Sequence, residues 1–192
     1  MLFRSVPFER RGERFDEYLR CLEALWTDDP VDFAGDFYSV PSSHLGLSPT
    51  QRPHPPILLG GAAPSALKRA GRLTQGWIAS TREDMESLGP CIETVREGAL
   101  EAGRDPGALR FVVRGIPDLT DAEASSGRRL LQGTVEQINE DLACLASLGV
   151  TEAFFDLNFS PRVVAANVDA GAAVAYADRV LDAFAPAAPA SR

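Results

Sequence analysis

Pro55-Pro56-Ile57-Leu58-Leu59-Gly60-Gly61-Ala62-Ala63-Pro64-Ser65-Ala66-Leu67, running on to Gly76-Trp77-Ile78-Ala79-Ser80, decides the fold class. A short apolar run bounded by prolines ends in two glycines. A helix then opens with Pro64 in its first turn and carries Ala66, Leu67 and Ala70, and Gly76-Trp77 starts a second apolar run. The order is strand, glycine turn, helix, strand. Such a turn presents bare backbone N–H groups at a helix N-terminus, where unpaired donors and the helix dipole favour an anion such as a phosphate. The plainer reading of the same residues is an ordinary βα turn with a capping serine.

The same alternation extends in both directions. Upstream, Phe15, Tyr18, Leu19, Leu22, Leu25 and Trp26 recur at spacings of three and four, which predicts a helix over 11–27 with these residues on its buried face. Thr27-Asp28-Asp29-Pro30 ends it. Residues 30–56 hold six of the fourteen prolines and read as a long irregular excursion. A small hairpin through Val31–Phe33 and Phe37–Val40 is expected there, with Gly35 in the turn.

Downstream, a strand over 77–80 precedes a helix over 82–102, capped by Thr81 with Asp84 and closed by Gly103. Leu88, Ile92, Val95, Ala99 and Ala102 form its inner side. Leu109–Val113 is a β-branched and aromatic run, hence a strand. Residues 117–132 read as a loop with part of a helix. Thr134 and Gln137 form a capping box for a helix over 135–148 facing inward through Val135, Ile138, Leu142 and Leu145, and Gly149 closes it. A strand over Val150–Leu157 and a last helix over 163–184 complete one domain over 1–185, with a disordered tail at 186–192. Strands near 57, 77, 110 and 152 alternating with helices imply parallel pairing. This is an α/β chain, either half of a (β/α)8 barrel or a small open sheet.

Composition narrows the function. At 192 residues and 45% hydrophobic content there is ample core, and 19 basic against 27 acidic residues give a net charge of −8, which argues against general nucleic-acid or anionic-membrane binding. Cys21, Cys91 and Cys144 form neither a disulfide framework nor a zinc motif and read as free thiols. His44 and His54 are too few for a histidine-rich metal site. No apolar stretch reaches a membrane span, and Met1–Arg11 lacks a signal-peptide core, so a cytoplasmic location is expected. Arg10-Arg11-Gly12-Glu13-Arg14 and Arg128-Arg129 read as solvated helix faces.

Several motifs in order resemble the luciferase-like family of flavin- or deazaflavin-dependent (β/α)8 oxidoreductases, in its C-terminal half only. Arg11-Gly12-Glu13-Arg14-Phe15-Asp16-Glu17 with Leu22-x-x-Leu25-Trp26 resembles the helix after the fourth barrel strand. Val31-Asp32-Phe33-Ala34-Gly35-Asp36-Phe37-Tyr38 resembles the family's hairpin, Pro49–Pro56 its approach to strand five, and Ile57–Trp77 its glycine turn and following helix. Gly103-Arg104-Asp105-Pro106 and Leu148-Gly149-Val150 match later turns.

The resemblance implies a partial TIM barrel of about four βα units, and a reduced cofactor, FMN or coenzyme F420, whose phosphate meets Gly60, Gly61, Ala62 and Ser65. The family often carries serine at the position of Ala62. The alanine, arginine and glycine content tilts the choice toward a deazaflavin. Barrels of this type carry their active sites at strand C-termini. Ser80, Arg114, Asp156 and Asn158 are the candidates there; Arg114 reads as a contact for a phosphate or an acidic substrate or as a surface salt bridge, Asp156 and Asn158 equally as turn residues after the last strand, and Trp77, Trp26 and Phe15 are expected in the core. His44 reads as a solvated loop residue. The chain begins at the helix after strand four, so it is read as a truncated frame of doubtful activity alone or as a half-barrel. Exposed parallel edges near 57 and 152 imply homo-oligomerisation and a poorly stable monomer. The competing readings are a non-enzymatic half-barrel that binds a phosphate ligand or a partner subunit, and a small doubly wound domain.

Overall fold

The computed structural model describes residues 7–79 and 85–185. Two compact units divide the chain, one of 1–57 with 73–75 and one of 58–72 with 76–192. The expected Thr81/Asp84 cap, Ser80 and the tail at 186–192 lie outside the described residues.

In the first unit, α1 (Arg11–Thr27) precedes an antiparallel hairpin of β1 (Val31–Ala34) and β2 (Ser39–Ser43). The helix buries Glu17, Leu19 and Cys21, whereas Phe15 and Tyr18 are 38% and 43% exposed. Phe15 is therefore not a core residue. Its ring stacks on Tyr18 at 6.1 Å, and Tyr18 leans on Tyr38 at 5.8 Å. Trp26 is half-buried beside the His54 ring, 5.7 Å away.

The helix turns a carboxylate inward because the hairpin needs one. Glu17 accepts from the backbone N–H groups of Asp36 at 2.9 Å and of Phe37 and Tyr38 at 2.7 Å. Those three donors cannot join a ladder, so the second arm starts at Ser39 rather than at Phe37. Gly35 serves close approach, since a Cβ there would strike the Glu17 carboxylate.

The second unit is built on β3 (Leu58–Leu59), α2 (Pro64–Leu73), β4 (Gly76–Ala79), α3 (Met85–Glu101) and β5 (Arg110–Gly115). There follow β6 (Asp118–Leu119), β7 (Gln132–Gly133), α4 (Val135–Ser147), β8 (Glu152–Phe155), α5 (Pro161–Val164) and α6 (Ala170–Phe184). The parallel sheet has the order β3-β4-β5-β8, with Leu59 beside Trp77 and Trp77 beside Phe111. The strands lie in chain order with no reversal, whereas a doubly wound sheet reverses at its switch point.

Side chains alternate along each strand. Trp77, Ala79, Phe111 and Val113 point to one face and pack with Leu67 and Ala70 of α2, Leu88, Ile92, Val95 and Ala99 of α3, and Leu145 of α4. Ala102, expected on that side, lies past the helix end and is exposed. Helices α2 and α3 cross at glycines, because a Cβ on Gly71 would meet the Val95 carbonyl and one on Gly98 the Lys68 backbone.

The Thr134–Gln137 capping box is present in both directions. Gly103 and Gly149 close α3 and α4 at φ of 70° and 98°, a conformation glycine adopts without steric penalty.

Two expectations for this unit need correction. Residues 117–132 contain no helix; their ends form the short parallel pair β6–β7, and Arg128 is a half-buried strut rather than a solvated face. Its guanidinium makes a two-pronged contact with Asp141 of α4, at 2.6 and 2.8 Å. The span 163–184 is not one helix. Ser160 accepts from Arg162 N–H to start α5, and Asp169 accepts from Ala172 N–H to start α6. Two N-caps give two helices. Tyr176 of α6 ties this region together, accepting from Leu119 N–H and donating to the Pro117 carbonyl, both at 3.0 Å.

Two glycines of α3 should respond oppositely to alanine. Gly98→Ala drives a methyl into Lys68 and should lower stability by about 1–3 kcal/mol. Gly89→Ala meets only Leu148 at 3.8 Å and should gain up to about 1 kcal/mol of helix propensity. Thermal melts read both; equal shifts would deny the tight α2–α3 crossing.

Burial alone raises the Glu17 carboxyl, but donation from Phe37, Tyr38 and Asp36 holds it below its ordinary 4.5. The folded value is the lower one, so its stabilisation is complete above 4.5 and is lost as pH falls through the folded value. Amide-exchange protection at Phe37 and Tyr38, corrected for intrinsic rate, should fall with pH in that range. In Glu17→Gln it should be low at every pH, and undiminished protection would contradict the assignment.

Candidate functional site at the strand C-termini

Strand β3 ends at Leu59, and the chain turns through Gly60, Gly61 and Ala62 into α2. Gly61 has φ of 110°, and a Cβ there would lie 3.2 Å from the Ala66 methyl, so both conformation and space call for glycine. At Gly60 an added Cβ would meet nothing closer than 3.7 Å, so this glycine is not sterically required. The turn is fixed from below. The indole Nε1–H of Trp77, itself 1% exposed, donates to the Gly61 carbonyl at 2.9 Å. Sequence reading assigned Trp77 to the core, which is correct, but gave it no contact with the turn.

Gly60, Gly61, Ala62 and Ser65 are all exposed. In the first turn of α2, Ala66 and Leu67 N–H donate to the Ala63 carbonyl at 2.8 and 3.0 Å. Pro64 has no N–H. The N–H groups of Ala62 and Ser65, and the Ser65 hydroxyl, meet no acceptor among the described residues. The turn is thus an exposed cluster of donors beside a helix N-terminus.

At the far side of the same sheet edge, Arg114 near the end of β5 reaches Asp156 just past β8. Its Nε–H donates to Asp156 Oδ2 at 2.6 Å and its Nη2 group contacts the same oxygen. Asp156 Oδ1 accepts from Asn158 N–H at 2.9 Å and Asn158 Nδ2 at 3.0 Å. Asp156 is 3% exposed; burial alone raises its carboxyl, but the donors of Arg114 and Asn158 hold it below its ordinary 3.8. Phe159, which sequence reading missed, lies under the guanidinium with its ring centre 4.8 Å from Cζ. Asp156 therefore caps the turn over Leu157–Phe159, as the turn reading expects, and the salt bridge expected of Arg114 is made to this buried carboxylate rather than on the surface.

His44 lies in the first unit, exposed, with Nδ1 2.7 Å from Asp29 Oδ1. Among the described residues no group of His, Cys, Asp and Glu is placed to hold a metal ion, and no helix is long and apolar enough to cross a membrane.

The luciferase-like monooxygenase family model matches residues 2–130. The chain is 33% identical over 98 residues to an FMNH(2)-dependent dimethylsulfone monooxygenase of Pseudomonas putida, a match covering 51% of this chain and 27% of that protein. It is 30% identical over 137 residues to an F420-dependent hydroxymycolic acid dehydrogenase of Mycobacterium tuberculosis, covering 69% and 37% respectively. Each match spans less than half of the relative's length. Among solved structures, a riboflavin lyase with modified FMN and riboflavin superposes with a TM-score of 0.68 at 10% identity, over 92% of this chain and 57% of that one. The match over two thirds of the sequence, together with this shared fold, makes the chain a member of the luciferase-like monooxygenase family.

Proposed function

We propose that the chain is a flavin- or deazaflavin-dependent oxidoreductase module whose Gly60–Gly61 turn receives the phosphate of reduced FMN or reduced coenzyme F420. One observation carries this reading: Gly61 is held in a glycine-only conformation by the Trp77 indole, beside unmet donors on Ala62 and Ser65. These residues fit a phosphate, since a backbone that needs no rearrangement can offer N–H groups and a hydroxyl to its oxygens. Relatives named for FMNH(2) and for F420 both support a redox cofactor and leave either one open. When bound, the reduced cofactor supplies the electrons, to oxygen in the flavin case or as hydride in the deazaflavin case.

This chain's own part is to anchor the cofactor's tail. Gly60 and Gly61 allow close approach, Ala62 contributes a backbone donor in place of the family's frequent serine, and Ser65 adds a hydroxyl. The sheet is read as a contiguous arc of a (β/α)8 barrel, supported by four parallel strands in chain order with α2, α3 and α4 on one face. Cys21, Cys91 and Cys144 form no disulfide among the described residues, in keeping with a cytoplasmic setting.

A second reading rests on β3 and β8, the two edges of the sheet. In it the chain binds a phosphate ligand or a partner subunit, a second copy included, without turnover.

Titration of FMN and F420 against ligand fluorescence should give saturable binding of one of them. Gly61→Val should abolish it, and Trp77→Phe, which frees the Gly61 carbonyl, should weaken it about fivefold, the equivalent of about 1 kcal/mol. Unchanged affinity in Gly61→Val would move the phosphate elsewhere, and no binding of either compound at millimolar concentration would remove the cofactor reading. Turnover with a redox partner separates the enzyme from the non-enzymatic alternative.

A further inference from the structure

We propose that Arg114 is an oxyanion-binding residue that recognises a carboxylate or phosphate group on the substrate of this site; the word substrate here rests on the oxidoreductase reading above. Two arginines of β5 make ion pairs with the β8 side of the sheet, and they differ in construction. Arg110 meets both oxygens of Glu152 at 2.6 and 2.7 Å, and the two side chains are 42% and 44% exposed. That is a closed surface pair. Arg114 meets one oxygen of a carboxylate that is 3% exposed, while its own side chain is 34% exposed.

Three contacts fix the Arg114 guanidinium and leave one edge open. Asp156 takes Nε–H and one Nη2 hydrogen, the Phe159 ring supports one face, and Asn158 occupies the remaining Asp156 oxygen with two donors. Both Nη1 hydrogens and the second Nη2 hydrogen meet no acceptor among the described residues. One Nη1 hydrogen and the second Nη2 hydrogen point end-on as a fork, the geometry that donates to two oxygens of a carboxylate or phosphate. Phe159 is 57% exposed, so the ring beside the fork is itself open to a ligand.

Position adds a second argument. Leu59, Trp77 and Phe111 are in register across three strands, and Ala62 and Arg114 each lie three residues further along. The glycine turn follows β3 and Arg114 lies near the end of β5, so both stand at the C-terminal edge of one sheet, with β4 between them and the guanidinium directed toward the β8 side. With the turn assigned to the cofactor's phosphate, the fork at Arg114 is left to the anionic group of a second molecule.

The test uses the full chain labelled with 15N, with sodium acetate and inorganic phosphate as probes at constant ionic strength. The Arg114 Nε–Hε resonance and the Gly115 amide should shift saturably with at least one probe. Arg114→Gln leaves the buried Asp156 without its cationic partner, so Arg114→Lys is the companion variant, keeping the charge and losing the fork. Either variant that remains folded should bind the probe about tenfold more weakly. Unchanged affinity in Arg114→Lys, or no saturable shift with either probe, overturns the site.

Added FMN or F420 should leave the probe at Arg114 in place. Displacement by the cofactor would put the cofactor's phosphate there and overturn the substrate assignment. Saturation by acetate in a chain that binds neither FMN nor F420 would support the oxyanion site while ending the redox reading.

Discussion

The hydrogen bond from the Trp77 indole to the Gly61 carbonyl, 2.9 Å long, joins the core to the rim. Its donor lies at the centre of the helix-covered face, among Leu67, Ala70, Val95 and Phe111, where a polar N–H needs a partner. Its acceptor belongs to the residue with φ of 110°. Satisfying the buried donor thus selects the path of the turn, and the turn's path leaves the next donors, Ala62 and Ser65, facing outward. Packing of α2 on α3 depends on small residues as well, since Gly71 and Gly98 let the two backbones approach closely where the helices cross.

The rim has a different logic at its other end. Asp156 is buried with all of its acceptor capacity directed at Arg114 and Asn158, so the arginine is held by a group that cannot easily relax into solvent. A guanidinium fixed in this way loses little freedom on meeting a ligand, whereas Arg110 across from Glu152 is an exposed pair of small net effect.

Much of this was legible in the sequence. The segment from Pro55 to Ala79 folds as its glycines, proline and apolar runs direct, and Thr134 with Gln137 forms the capping box their spacing implies. Gly103 and Gly149 terminate helices where expected because each takes a positive φ that few other residues tolerate. What was not legible depended on long-range partners. Glu17 reaches twenty residues along the chain to the Phe37 N–H and shifts a strand, which no local pattern encodes. Strands of two residues, as in β6 and β7, are too short to carry a period. The break near Asp169 was readable in principle, since an aspartate before a run of small residues is an N-cap, but the apolar content on either side masked it. At the site, Arg114, Asp156 and Asn158 were correctly placed near strand ends, yet only three-dimensional proximity brings Phe159 under the guanidinium.

The proposed role of the Gly60–Gly61 turn is to bind a cofactor through its phosphate. Comparing FMN with riboflavin, which differ by that phosphate alone, tests it most directly through the backbone amide resonances of Ala62 and Ser65. The predicted result is a saturable shift of both amides with FMN and none with riboflavin. Equal shifts with the two compounds, or FMN binding that leaves both amides unmoved, would contradict it.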